Sequence, residues 1–297
     1  MNAETAASTP AFSVVIASWS GTATLIRCLE SLLPQVGAAE VIVACRGESD
    51  FLAELKRRFG GVHFINGGRD ASVFRLRSLG VREARGASIA MLEDHAAVCD
   101  DWVRAIFAGS AKGKAIVGGP IENDPRASLY DWALYFVEYG IYMPPMPAGE
   151  TPILSGVNIA YEREALASCR GIWDSVFYET DVNAALSGAG YKLFMLPEAC
   201  VESRLQMGLR EAMEHLFTGG RHFGEFRKLQ SSSATRLLLV LAAPAILFVL
   251  LFRIVRQTAA RQPARLGKIL LGLPYLVLLL GAWSAGEAAS YLRSAKD

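Results

Sequence analysis

Four short apolar stretches alternate with segments of helical period over the first third of the chain: Phe12-Ser-Val-Val-Ile-Ala17, Glu40-Val-Ile-Val-Ala44, Val62-His-Phe-Ile65 and Ala87–Leu92. Between them, Thr22–Leu33 carries apolar residues at helical spacing, Asp50–Arg58 reads as a second helix, and Ser72 is placed to cap a third that runs to about Ala84. The strands lack an alternating wet face, so they predict burial on both sides, which an antiparallel meander rarely provides. Strand and helix at this pitch predict a doubly wound α/β fold, mostly parallel, with helices on both faces of the sheet.

In such a sheet ligands bind beyond the carboxyl ends of the strands, so strand ends are where function is expected. The fourth strand runs straight into Glu93-Asp94-His95, three residues able to hold a metal or a proton, and a helix follows from Asp100 or Asp101. A solvated turn that caps this helix is the plainer reading of the same triplet. Further along, Leu129–Tyr139 is rich in aromatic residues, consistent with core and also with a platform on which sugars or lipids stack. Met143–Thr151, with three prolines, reads as a loop. Ser155-Gly156-Val157-Asn158 ends a short apolar segment ahead of a helix beginning near Glu162. Val176–Asn183 opens another helix, ended by Ser187-Gly-Ala-Gly190; Glu179 and Asp181 in its first turn suit the helix dipole on structural grounds alone.

Lys and Arg number 30 against 29 Asp and Glu, which offers no polyanion surface, so nucleic acid is not an expected partner. The five cysteines, Cys28, Cys45, Cys99, Cys169 and Cys200, show no CxxC pair and no zinc spacing, and this odd, dispersed set predicts reduced thiols in a cytosolic compartment. Residues 1–10 are small and polar, without the basic and apolar regions of a secretory signal, and are expected to be a flexible arm.

Several blocks resemble family 2 glycosyltransferases in order and spacing. They are Phe12-Ser-Val-Val-Ile-Ala-Ser-Trp19, Leu25-Ile-Arg-Cys-Leu-Glu-Ser-Leu-Leu-Pro-Gln35, Glu40-Val-Ile-Val43, Arg77-Ser-Leu-Gly-Val-Arg-Glu-Ala-Arg-Gly86, Leu92-Glu-Asp-His95, Leu154–Ala160 and Tyr178–Asn183. The resemblance covers roughly residues 12–230 and implies a GT-A type fold over residues 11–203, with transfer of a sugar from a nucleoside diphosphate to an acceptor hydroxyl. It further implies a divalent cation, Mn2+ or Mg2+, held at Glu93 and His95, where the family has an Asp-x-Asp. Mn2+ tolerates a histidine ligand better. Ser18, Glu48, Asp50, Arg77 and Asp94 fall on the donor side. Glu48 and Asp50 stand near the place of the family's nucleobase-reading Asp, where this chain has Cys45. Asp181, with Glu179, matches the acidic pair that deprotonates the acceptor. Gly156, Asn158, Arg221 and His222 fall on the acceptor side. The Gln-x-x-Arg-Trp element of processive members is not intact around Arg221.

From Arg204 the chain turns amphipathic and basic, and residues 204–232 read as helices on a membrane surface, with a break expected at Gly219-Gly220. Two apolar runs follow, Leu237–Phe252 and Ile269–Trp283, predicting a two-helix membrane segment over residues 233–297, spanning or re-entrant. The whole then reads as an enzyme of the cell inner membrane, its catalytic domain facing the cytoplasm, acting on a lipid-linked or cell-envelope glycan. Two other functions fit parts of the chain: a catalytically weak scaffold that binds a sugar nucleotide, and a nucleotidyltransferase of related fold. The latter lacks a Gly-rich phosphate loop after the first strand.

Overall fold

A computed structural model describes residues 11–47, 49–229 and 232–292; residues 1–10 and Glu48 lie outside the described residues. The chain forms two compact units, one from the chain up to Glu122 with Pro144–Arg204, the other from Asn123–Met143 with the chain from Leu205 onward.

The first unit opens with β1 (Phe12–Ser18), α1 (Thr22–Leu32), β2 (Glu40–Cys45), α2 (Ser49–Arg58), β3 (His63–Asn66), α3 (Val73–Glu83) and β4 (Ser88–Glu93). Every residue of β1 is buried, as expected of a strand covered on both faces. Ser72 does cap α3, its hydroxyl accepting the Arg75 N–H. Next come β5 (Ala96–Val98), α4 (Trp102–Ser110), β6 (Ile116–Gly118) and β7 (Ile121–Asn123). Asp101 precedes α4 in the left-handed region (φ 63°) and makes no side-chain cap; its carboxylate pairs with Arg104 at 2.7 Å.

The aromatic helix α5 (Leu129–Glu138) groups with the C-terminal helices in the second unit, so residues expected inside the transferase domain fall in the other body. The first unit resumes with β8 (Gly149–Thr151), β9 (Asn158–Glu162), α6 (Arg163–Ser168), α7 (Arg170–Trp173), α8 (Glu179–Gly188), β10 (Leu193–Met195) and β11 (Val201–Ser203).

Eight strands form one sheet in the order β3-β2-β1-β4-β9-β6-β10-β8, and β5-β11-β7 form a second. The half from β3 to β4 is parallel, as the alternation predicts. β9 is the departure. Asn158–Glu162, between the Ser155–Asn158 segment and the helix expected near Glu162, is a central strand antiparallel to both β4 and β6. The sheet is therefore mixed. Its pairing with β4 sets Asn158 opposite Leu92, one residue before the acidic triplet.

In the second unit α9 (Leu209–Leu229) runs unbroken through Gly219 and Gly220. The expected break is instead a close-packing surface: a Cβ on Gly220 would run into the backbone of Trp283 in α12 (Leu273–Leu292). The carboxylate of Glu287, almost fully buried in α12, accepts from Arg227 at 2.6 Å and from the Tyr291 hydroxyl at 2.8 Å. The aromatic stripe of α5 is core, with Trp132, Tyr135, Phe136 and Tyr139 all buried.

The apolar runs do not correspond one to one with the two helices expected. The first belongs to α10 (Ser233–Arg261), which continues past position 244 and well beyond the run, and the second is divided at Gly272 between α11 (Leu266–Leu271) and α12. Among the described residues no single helix is long and apolar enough to cross a membrane. One bent pair, Pro263–Leu271 with Leu273–Leu292 at 80°, meets the length and composition together.

Candidate functional site

The order β3-β2-β1-β4 means that the chain winds outward from β1 to β3 and then crosses back to β4. The crevice at the carboxyl ends of β1 and β4 is thus a topological switch point, where an open α/β sheet binds its ligands. Two segments meet there: Ser18-Trp19-Ser20-Gly21 leaving β1, and Glu93-Asp94-His95 leaving β4.

The triplet is no solvated turn. Glu93 is 4% exposed, and Asp94 and His95 not at all. Asp94 ties the two segments together. Its Oδ2 accepts from the Ser18 hydroxyl at 3.0 Å and from the backbone N–H groups of Ser20 (2.8 Å) and Gly21 (3.3 Å), while its own N–H donates to the Ala17 carbonyl. Burial pushes the Asp94 carboxyl above the usual carboxylate range, an effect that the His95 imidazole and the bonds from Ser20 and Ser18 offset only in part. Its Oδ1 is buried without a hydrogen-bond partner.

Glu93 is wired differently. One oxygen accepts from the Trp19 indole N–H at 2.7 Å and the other from the guanidinium of Arg77. Burial opposes the charge on Glu93, but Arg77, then His95 and the Trp19 bond, hold the carboxyl below its usual range.

Arg77 is the hub. It lies on α3, 3% exposed, and its second Nη donates to Glu179 at 2.5 Å in the first turn of α8. Burial disfavours its charge, yet the two carboxylates outweigh that and raise its pKa. Phe74 lies under the guanidinium, whose carbon is 5.5 Å from the ring centroid, and Phe74 in turn packs on Tyr178. Gly156 approaches from the loop before β9. A Cβ there would stand 2.7 Å from the guanidinium carbon, so no larger residue fits without moving Arg77.

The expected site residues therefore separate into groups. Ser18, Arg77, Glu93, Asp94, His95, Gly156 and Glu179 form one connected cluster. Asp181, two positions along α8 from Glu179, is turned by about 200° around the helix axis and is half-buried on a different side. Asn158 is buried, its amide donating to the carbonyls of Pro120 (3.1 Å) and Ala199 (2.7 Å) and accepting the Trp102 indole N–H (2.9 Å). That side chain is committed to holding the strand ends together. Arg221 and His222 lie on α9 in the second unit, Arg221 3.9 Å from Glu225. Asp50 stands at the start of α2. Trp19 and Ser20 belong to the same cluster and were missed by sequence reasoning; the clue was an indole and a hydroxyl in the loop directly after β1.

His95 Nδ1 is 3.6 Å from Glu93 and 3.9 Å from Asp94. Both oxygens of Glu93 are committed elsewhere, and no group of three or more His, Cys, Asp or Glu among the described residues could hold a metal ion. The triplet as arranged offers no three-ligand protein cage for the divalent cation expected at Glu93 and His95.

Comparison with known proteins places this architecture. The sequence model of the family described as Glycosyl transferase family 2 matches residues 13–170. Among solved structures, the mannosyltransferase PcManGT from Pyrobaculum calidifontis in complex with GDP-Man and Mn2+ is 16% identical, with a TM-score of 0.59 over 95% of this chain and 87% of that one. The crystal structure of GalNAc-T7 with UDP, GalNAc and Mn2+ is 18% identical, with a TM-score of 0.50 over 66% of this chain; the chain spans 44% of that protein's length. No curated protein matches. At these identities the two structures speak for the shared GT-A-like fold.

Proposed function

We propose, from the premise that this chain belongs to glycosyl transferase family 2 and is a nucleotide-sugar-dependent glycosyltransferase, that it is an inverting enzyme moving a sugar onto a lipid-linked or cell-envelope glycan. The observation that carries the reading is Arg77, which joins the acidic end of β4 to the acidic first turn of α8. Donor and acceptor chemistry need such a junction. The leaving diphosphate must be held at the strand ends while a carboxylate beside it takes the acceptor's proton.

The base is assigned to Asp181 because Tyr178–Asn183 matches the family's acidic pair there; it removes the hydroxyl proton as the oxygen attacks the anomeric carbon. Glu179 and Arg77 then act as positioning residues for α8. Ser18, Ser20 and Asp94 shape the donor loop after β1, with Glu48 and Asp50 as candidates for the nucleobase side. The two similar structures hold Mn2+; the chain's own triplet offers no three-ligand cage for that ion, and no step is routed through it.

The acceptor class rests on the second unit. Leu241, Phe248 and Phe252 of α10 and Leu270 of α11 are each about two-thirds or more exposed, and Arg253, Arg256, Arg265 and Lys268 lie among them in sequence. Apolar surface flanked by cations suits a bilayer with anionic headgroups. An inner-membrane position with the catalytic unit on the cytoplasmic side would give it both nucleotide sugar and lipid-linked acceptor.

The buried, internally bonded triplet favours one competitor, a catalytically weak protein that binds a sugar nucleotide and serves as scaffold. Nucleotide release from UDP- and GDP-sugars separates the two. The enzyme reading expects turnover with one donor, and a fall of about 10²–10⁴-fold in Asp181→Asn with donor affinity kept. Donor binding without turnover, or turnover indifferent to Asp181, sinks it.

A further inference from the structure

The five cysteines are dispersed in sequence but not all in space. β5 and β11 run antiparallel with Val98 opposite Val201, so one step along the ladder Cys99 stands opposite Cys200. The Cys99 N–H donates to the Cys200 carbonyl at 3.1 Å. Residues directly opposite on antiparallel strands have Cα atoms about 4.5–5.5 Å apart and send both side chains to the same face. Disulfides are commonest at a Cα separation of about 5.5–6 Å. Both residues are half-buried, open enough for a small reagent, whereas Cys28 and Cys45 are sealed in the core and Cys169 stands apart at the end of α6.

We propose that Cys99 and Cys200 form a reversible dithiol–disulfide site, oxidised by exchange with a low-molecular-weight disulfide. The Cys99 thiolate attacks one sulfur of the reagent, which forms a mixed disulfide and releases the first small thiolate. Cys200, giving up its proton, then attacks the Cys99 sulfur; the protein disulfide closes and the second small thiolate leaves. The two protons end on the two small thiols, so two protein thiols are oxidised and one small disulfide is reduced. Interaction between the two thiols lowers the pKa of Cys99 and raises that of Cys200, which favours Cys99 as the attacking sulfur. Asp100, Glu122 and Glu202 lie close enough to oppose the Cys99 thiolate. They also disfavour an anionic reagent, so a cationic disulfide such as cystamine should react faster than oxidised glutathione.

The site sits on the framework of the acidic triplet. β5 leaves directly from His95, and Arg204, just past β11, donates its N–H to the His95 carbonyl at 2.8 Å. A bridge at the far end of this ladder would close it covalently on the side where Asn158 already holds Ala199.

The test uses the full-length protein incubated with cystamine and, separately, with oxidised glutathione, followed by alkylation, peptide mass mapping and thiol titration in denaturant. The expected result is one linked pair, Cys99 to Cys200. The titratable thiols fall from five by two, the melting temperature rises by several degrees, and dithiothreitol reverses all of it. Cys200→Ser should trap the mixed disulfide on Cys99. Persistent mixed adducts in the wild type, a different pairing, or five thiols still titratable after both reagents would each overturn the proposal.

Discussion

Removing the charge of Arg77 while keeping its stem is the sharpest probe of the site. Arg77→Met retains an unbranched apolar chain beside Phe74 and leaves two carboxylates without their cation. They differ in consequence. The Glu93 side chain is 5% exposed and stays buried as an uncompensated anion, whereas Glu179, at 21%, can turn to water. Breaking a buried pair by deleting one partner costs about 3–5 kcal/mol, and the more exposed Glu179 contact adds at most about 1 kcal/mol. Against a total stability of about 5–15 kcal/mol this is a large fraction. With a urea slope of about 2–3 kcal/mol/M, the upper part of the usual range as suits a chain of this length, the unfolding midpoint should fall by about 1–3 M with the slope unchanged. The double variant Arg77→Met/Glu93→Gln carries the diagnostic. It removes the stranded charge while a glutamine oxygen can still accept the Trp19 indole N–H, so it should recover more than half of the loss. If Arg77→Met costs under about 1 kcal/mol, or if adding Glu93→Gln makes it worse by that substitution's full single cost, the guanidinium is not the counter-ion that burial and geometry say it is.

Three further outcomes follow from other parts of the molecule. Gly156→Ala sets a methyl 2.7 Å from the Arg77 guanidinium carbon and should cost about 1–3 kcal/mol in the same urea experiment, with a smaller effect in an Arg77→Met background. The Glu40 carboxyl is held below its usual value because, although burial opposes the charge, bonds from the Ser13 hydroxyl and from the N–H and guanidinium of Arg85 outweigh it. Its folded pKa is therefore the lower one, its contribution is complete above the unfolded value and is lost as pH falls through the folded one, so the stability gap between wild type and Glu40→Gln should shrink as pH falls below the ordinary glutamate value of 4.5. Leu241→Glu with Phe248→Glu, on the exposed side of α10, should weaken flotation with phospholipid vesicles at least about tenfold per residue; unchanged flotation would take the membrane away from α10.

The alternation of β1 to β4 is legible because a strand buried on both faces announces itself as an apolar run between turn residues. β9 gives no such signal. Asn158-Ile-Ala-Tyr-Glu162 leads into Arg-Glu-Ala, a run that suits a helix start, and its extended state is imposed by ladders to β4 and β6 on either side. The same override joins α9 across Gly219-Gly220, where the backbone of α12 replaces the side chains that helix propensity favours. The site follows the same logic. A strand end carrying Glu93-Asp94-His95 identifies an address from sequence, but which oxygen meets which donor depends on the rotation of α3 and on the loop after β1, and neither has a local signature. Cys99 and Cys200 meet through a strand register, not a spacing motif. With Glu93 held by Arg77 and Trp19, and Glu179 by the same guanidinium, the ladders and helix rotations decide that these two acids are spent on the framework.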